Sequence, residues 1–177
     1  MSYKLLVIPL MVVMVFLFSA SLAKEVRAMD ALKITSPAFQ NNDNIPSKYT
    51  CDGSDINPSL MIENCPAGAK SFALICDDPD APMGTWVHWV LWNIPPSVKE
   101  IKENSVPQGG VEGMNDFRKH SYGGPCPPSG THRYFFKVYA LDTLLIISPN
   151  STKADLEKAI KGHILAQGQL IGLYKRR

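Results

Sequence analysis

The segment His132-Arg133-Tyr134-Phe135-Phe136-Lys137-Val138-Tyr139-Ala140-Leu141 decides the fold class. Its aromatic and β-branched residues suit a pleated, half-buried surface. In extended backbone, residues two apart share a face, so His132 and Tyr134 point the same way. Lys70–Asp77 is a second apolar run, and it stops at the Asp78-Pro79 turn. Trp86–Ile94 is a third, ended by Pro95-Pro96, and Gln169–Tyr174 reads as a short final strand. The prolines and glycines of Gly123–Pro128 predict a loop of restricted conformation. Gln108–Lys119 is polar and reads as a surface excursion. One helix is expected: Thr152 with Asp155 makes a capping box, and Leu156, Ala159, Ile160, His163 and Ile164 recur at helical spacing. Gly168 is its expected stop. Many strands and one late helix predict an all-β sandwich with a small peripheral helix near the C-terminus.

The chain has 177 residues, 45% of them hydrophobic and 19% charged, which suits one folded domain rather than a disordered chain. The net charge of +2 is too small for a nucleic-acid footprint. Residues 1–23 stand apart. Lys4, the apolar run Leu5–Phe18 and the small residues of Ser19–Ala23 follow the order of a secretory signal. Cleavage is expected before Lys24, with Val26-Arg27-Ala28 as a second site. An uncleaved anchor is the alternative, since Leu5–Ala23 has just the length to span a bilayer. Residues 24–31 then form a short linker and 32–177 the domain, exported to a periplasm or secreted, with no stable membrane span in the mature chain.

Export bears on Cys51, Cys65, Cys76 and Cys126, which allow three pairings as two disulfides. Their spacings do not match a zinc module. Cys51 and Cys126 lie in turn-like contexts, so a Cys51–Cys126 bridge is expected. Cys76 alternates with Leu74 and Phe72 and reads as a buried free thiol.

The polar residues near the strand ends carry the functional signal. Asp78 and Asp80 flank Pro79, His132 and Tyr134 flank Arg133, and His88 interrupts an apolar run. Each has a bland reading: a turn-starting aspartate, a hydrogen-bonded core histidine sharing a face with Val90 and Trp92, a strand tyrosine with a satisfied tip. Together they predict one small polar pocket. Three uses compete. Anion binding would draw on the histidines, the Tyr134 hydroxyl and backbone N–H groups of the Gly123–Gly130 loop, with the aspartates raising the imidazole pKa values. Two aspartates and two histidines also suit a divalent metal. Hydrolysis would use an aspartate or histidine as general base. No Gly-x-Ser-x-Gly, His-Glu-x-x-His or phosphate-loop motif supports catalysis.

Asp77-Asp78-Pro79-Asp80-Ala81-Pro82, Val87-His88-Trp89, Tyr122–Gly130 and His132-Arg133-Tyr134 resemble the phosphatidylethanolamine-binding protein family. The likeness runs from about Leu32 to Tyr174. Cys51-Asp52-Gly53, Asn57-Pro58-Ser59 and Ala166–Leu170 resemble its prokaryotic, Raf-kinase-inhibitor-like branch. The resemblance implies a sandwich of two antiparallel sheets with an anion pocket at one end. Asp78, Asp80, His88, His132 and Tyr134 match the family's pocket, and Gly124, Cys126 and Pro127 its second loop. It implies binding of phosphate or phospholipid head-group-like anions without catalysis, cofactor or metal. An inhibitor of an envelope enzyme and a hydrolase using the same pocket are the alternatives, and a protein partner or a homodimer is compatible with both. Mammalian members carry a C-terminal helix over the pocket. This chain runs to Lys175-Arg176-Arg177 soon after Tyr174, so that lid is not expected and kinase regulation is not transferred.

Overall fold

The computed structural model describes residues 30–176, so the expected signal segment lies outside the described residues. Ten strands and one helix follow in chain order: β1 (Asp30–Ala31), β2 (Lys33–Thr35), β3 (Asp43–Asn44), β4 (Leu60–Glu63), β5 (Ser71–Asp78), β6 (Trp86–Ile94), β7 (Glu100–Ile101), β8 (Val111–Glu112), β9 (His132–Leu141), α1 (Lys153–Ile160) and β10 (Ile164–Tyr174). They form a seven-stranded sheet, ordered β1-β10-β9-β5-β6-β8 with β3 also on β10, and a three-stranded sheet, β2-β4-β7. The expected sandwich is present. Its long pairings are antiparallel, while β1 and β3 add short parallel pairings to the outer edge of β10.

Residue alternation explains the layers. Phe72, Leu74 and Cys76 of β5 join Leu60 and Ile62 of β4 and Phe136 and Val138 of β9 in the core between the sheets. Ala73 and Ile75 face the other way and pack with Val90, Trp92, Leu156 and Ile160 under α1. β5 is therefore covered on both faces, which is why it reads as a continuous apolar run rather than an alternating one.

The helix is shorter than expected. The Asp155 carboxylate accepts the Thr152 N–H at 2.9 Å, so the capping box forms. The helix stops at Ile160 rather than near Gly168, because Gly162 takes the left-handed conformation (φ +86°) and the chain turns into β10. Ile164, placed on the helical face by its spacing, instead pairs with Leu141. Ten β10 residues paired with β9 outweigh a weak helical pattern interrupted by glycine.

Candidate functional site

The end of β5, the start of β6 and the start of β9 meet at one end of the large sheet. Asp77 pairs with Phe135 and Asp78 with Trp86. Asp78 faces the sandwich interior, where its Oδ2 accepts the Nδ1–H of His132 at 2.7 Å. Its Oδ1 accepts the Asp80 N–H at 2.8 Å, closing the turn at Pro79. Both residues are buried, at 3% and 6% exposure, so the carboxylate is desolvated, with one protein donor on each oxygen.

His88 reaches this site through a β-bulge. Cys76 pairs with Trp89 and Asp77 with Val87, which leaves His88 as the extra residue. Val87 faces the α1 side, while the His88 ring meets the Tyr134 ring edge-on, with centroids 5.2 Å apart. Regular alternation would have put His88 with Val90 and Trp92, and the bulge overturns that expectation. A carbonyl can only accept, so His88 Nδ1 carries the hydrogen donated to Gly123 O at 2.6 Å. The Nε2 of the neutral ring is then an acceptor. Burial lowers the His88 pKa, opposed by the Gly123 carbonyl and the Asp78 charge, so His88 is held neutral rather than made positive as expected.

Tyr134 is fully buried, and its hydroxyl has no hydrogen-bond partner among the described residues. Asp78 lies close, and each of its oxygens already accepts one bond, from the Asp80 N–H and from His132. Burial pushes the phenol pKa well above its usual value, helped by the Asp78 carboxylate as a charge and as a neighbouring acceptor, so it remains a donor. An unmet buried hydroxyl costs about 1–3 kcal/mol, a cost that an incoming acceptor would remove.

Three expected members of the pocket are held by partners within the protein. The Asp80 carboxylate turns outward and binds Arg133 through Nε at 2.8 Å, Nη2 at 2.7 Å and the backbone N–H at 3.0 Å. That ion pair holds its carboxyl down at about 2. Gly124 cannot offer its N–H to a ligand, because Asp55 Oδ1 already accepts it at 2.6 Å. A Cβ at Gly124 would lie 2.7 Å from Tyr49 O, so only glycine permits this approach. Cys126 is bonded to Cys51, with Cα atoms 5.4 Å apart, as expected from their turns. Cys51 N–H also donates to Pro125 O, and the Tyr122 hydroxyl to Tyr49 O. Pro127 is buried in the same loop. This loop braces the wall that carries the Gly123 carbonyl. Cys76 is buried and free, also as expected.

The segment read as a surface excursion supplies residues that the sequence did not reveal. Asn115 Nδ2 donates to His88 O at 3.1 Å and to Ser121 O at 2.8 Å. Asp116 Oδ2 accepts the Val87 N–H at 2.7 Å. The Phe117 ring lies edge-on to His88 at 5.4 Å and to Trp86 at 5.5 Å. The segment thus satisfies the β6 backbone where the bulge disrupts the ladder. Asn-Asp-Phe among polar residues gave only a weak signal, since its apolar member stays partly exposed.

A cleft of about 1080 Å³ opens beside the cluster, lined by Asn44, Pro46, Ser47, Thr131, Tyr174 and Lys175. It does not contain the cluster, but Tyr174 is the cross-strand neighbour of His132. Among the described residues, no three His, Cys, Asp or Glu side chains are placed to hold a metal ion.

The comparisons agree with this architecture. The family model described as phosphatidylethanolamine-binding protein matches residues 35–175. A UPF0098 protein of Methanothermobacter thermautotrophicus is 50% identical over 150 residues, covering 82% of this chain and 99% of the relative. One from Pyrococcus horikoshii is 52% identical over 156 residues, covering 83% and 78%. The crystal structure of a phosphatidylethanolamine-binding protein homologue from Chlamydia trachomatis superposes with a TM-score of 0.80 at 39% identity, covering 83% and 99%. That of YbcL from Escherichia coli, described as a member of the mammalian family, gives 0.78 at 31% identity over 82% and 99%. With a family model spanning nearly the whole described chain and relatives identical at half of the aligned residues, this chain belongs to the phosphatidylethanolamine-binding protein family.

Proposed function

We propose that the chain binds a small phosphate-type anion, free or as a head group, at the Asp78–His132–Tyr134–His88 cluster, and turns nothing over. The observation that carries this reading is the buried Tyr134 hydroxyl, a donor left unmet beside an engaged Asp78–His132 pair. In neutral His132 the Nδ1–H bond to Asp78 leaves Nε2 a lone pair. A hydrogen-bearing oxygen of the anion can donate to that Nε2. A protonated His88 adds a second donor from Nε2. Binding therefore couples to proton uptake. The chain works outside the cytoplasm, delivered by the apolar run Leu5–Phe18.

The lowered pKa of His88 sets the sign of the pH effect. Above its range the ring is neutral, and the anion must bring a proton with it. Affinity for inorganic phosphate or phosphorylethanolamine then falls as pH rises from 5.5 towards about 8. Calorimetric titration at both ends of that range tests the reading, and equal affinities would refute the proton-coupled mechanism. The Asp78–His132 pair with a free Nε2 is also the arrangement of a general base, which favours hydrolysis as the second reading. Phosphoester turnover that disappears in Asp78→Ala would establish it.

A further inference from the structure

The two ends of the sandwich differ. β1 runs parallel to β10, with Asp30 opposite Ala166 and Ala31 opposite Gln167. β10 starts at Ile164 and ends at Tyr174, opposite His132. β1 therefore begins at the Ile164 end, away from the polar cluster. The ten residues of β9 separate the two ends, about 30 Å at the usual strand rise.

The turn after β9 lies at the Ile164 end. Asn93 fixes it: Oδ1 accepts the Leu145 N–H at 2.8 Å, and Nδ2 donates to Leu145 O at 2.9 Å. Leu145 is buried and Ile147 packs on the cluster under α1. Leu144 and Ile146 are left pointing outward, 58% and 100% exposed. Lys70, whose N–H donates to Leu141 O, and Lys161 at the end of α1 are exposed cations at the same end. His163 pairs with Asp142 there. Two aliphatic side chains and two lysines, held on a fixed turn, suit the boundary of an anionic bilayer.

The apolar run Leu5–Phe18 precedes this end by a short tether. Residues 24–29 reach at most about 20 Å when extended. We propose that the apolar run stays attached and holds the chain to a lipid bilayer, with Leu144 and Ile146 resting in its interface. Two side chains alone bind a bilayer marginally, but a short tether makes their contact intramolecular. The tether supplies the attachment and the turn sets the orientation. This replaces the cleavage that Ser21-Leu22-Ala23 suggests. It also points the polar cluster away from the bilayer, so that its anion arrives from solution rather than from lipid beneath. That consequence alone rests on the reading of the cluster as an anion site.

The test uses the full chain with Cys65→Ser and either Ile146→Cys or Met83→Cys, each carrying an environment-sensitive fluorophore. Met83 is 94% exposed on the loop between β5 and β6, at the cluster end. Nanodiscs of phosphatidylcholine and phosphatidylglycerol would carry a quencher on the lipid chains. The expected result is several-fold stronger quenching at position 146 than at 83, reduced to the level at 83 by Leu144→Asp, in a protein whose intact mass retains residues 1–23. Equal quenching at both positions would overturn the proposal. So would a label at 146 that is shielded from water but not reached by the quencher, which would mean that a second copy covers the turn. A mass beginning at Lys24 or Met29 would overturn it as well. Phosphate titration of the same protein is independent of these outcomes and separates this proposal from the anion-site reading.

Discussion

At the scale of single residues, Tyr134 and His88 separate binding from stability. The Tyr134 hydroxyl makes no well-formed hydrogen bond among the described residues and has the Asp78 carboxylate as its neighbour, so Tyr134→Phe removes a desolvated group that the protein leaves poorly satisfied. Thermal unfolding should be unchanged or raised, by up to about 1 kcal/mol, while phosphate affinity falls roughly 10-fold to 100-fold. A variant that unfolds earlier and binds normally would show that the hydroxyl has a protein partner instead. His88 gives the opposite kind of signal. Burial depresses its pKa below the usual 6.5, so the unfolded chain takes up a proton more readily than the folded one. Its contribution to stability is present above that value and is lost as pH falls through it. The loss is at most about 1.4 kcal/mol per pH unit for one proton. Chemical denaturation from pH 7.5 down to 5 should show this slope, and His88→Gln should flatten it.

At the scale of elements, two devices hold the site and can be tested apart. On the outer face of β5, Asp77 is fully buried and meets Lys137 of β9 at 2.8 Å and Lys153 of α1 at 2.5 Å. Asp78 faces inward to His132, so adjacent aspartates serve opposite faces of one strand. Asp77→Ala leaves two lysines without their shared anion. Both lysines are partly exposed, and this puts the cost at the low end of the usual range, about 3 kcal/mol. Hydrogen exchange should quicken in α1 first. The Cys51–Cys126 bridge braces the other side of the site, alongside the Gly124–Asp55 and Cys51–Pro125 hydrogen bonds. Replacing both cysteines by serine should lower stability by about 2–4 kcal/mol. It should also weaken phosphate binding, because Gly123 O orients His88 from that loop. Unchanged affinity in the double variant would show that the hydrogen bonds alone fix the loop.

At the scale of the whole molecule, β5 joins three layers. The small sheet covers one of its faces and α1 the other, and both apolar clusters draw on it. Neither cluster keeps its packing if β5 leaves. Unfolding should therefore be a single transition, with near-ultraviolet signals from Trp89 and Trp92 coinciding with the loss of far-ultraviolet signal. Separate midpoints would mean that α1 leaves before the sandwich opens. The same layering explains why polar groups can gather at one end. The strand ends emerge there from a packed interior, and their side chains are desolvated without displacing core.

The sequence alone determined the long central strands, while the short strands β1–β4, β7 and β8 and the early start of β10 at Ile164 were not legible in it. β6 and β9 carry dense β-favouring runs, and their bounds match the expected ones because propensity and turn residues agree there. It also determined that His132 and Tyr134 share a face, since residue spacing on one strand is a local property, whereas Asp78 joins them through the pairing of β5 with β9. The Cys51–Cys126 pairing was legible for a similar reason, because turns permit close approach. Only the tertiary structure decided the rest. The face of His88 depends on a bulge, which is a mismatch between two strands and has no signature in either one. The length of α1 depends on β10 finding β9 across the sheet. Arg133 captures the Asp80 carboxylate, and Asp55 captures the Gly124 N–H, because strands and loops distant in sequence come together in space. Local sequence fixes what each residue can offer, while the partners that compete for its hydrogen bonds are chosen by the fold.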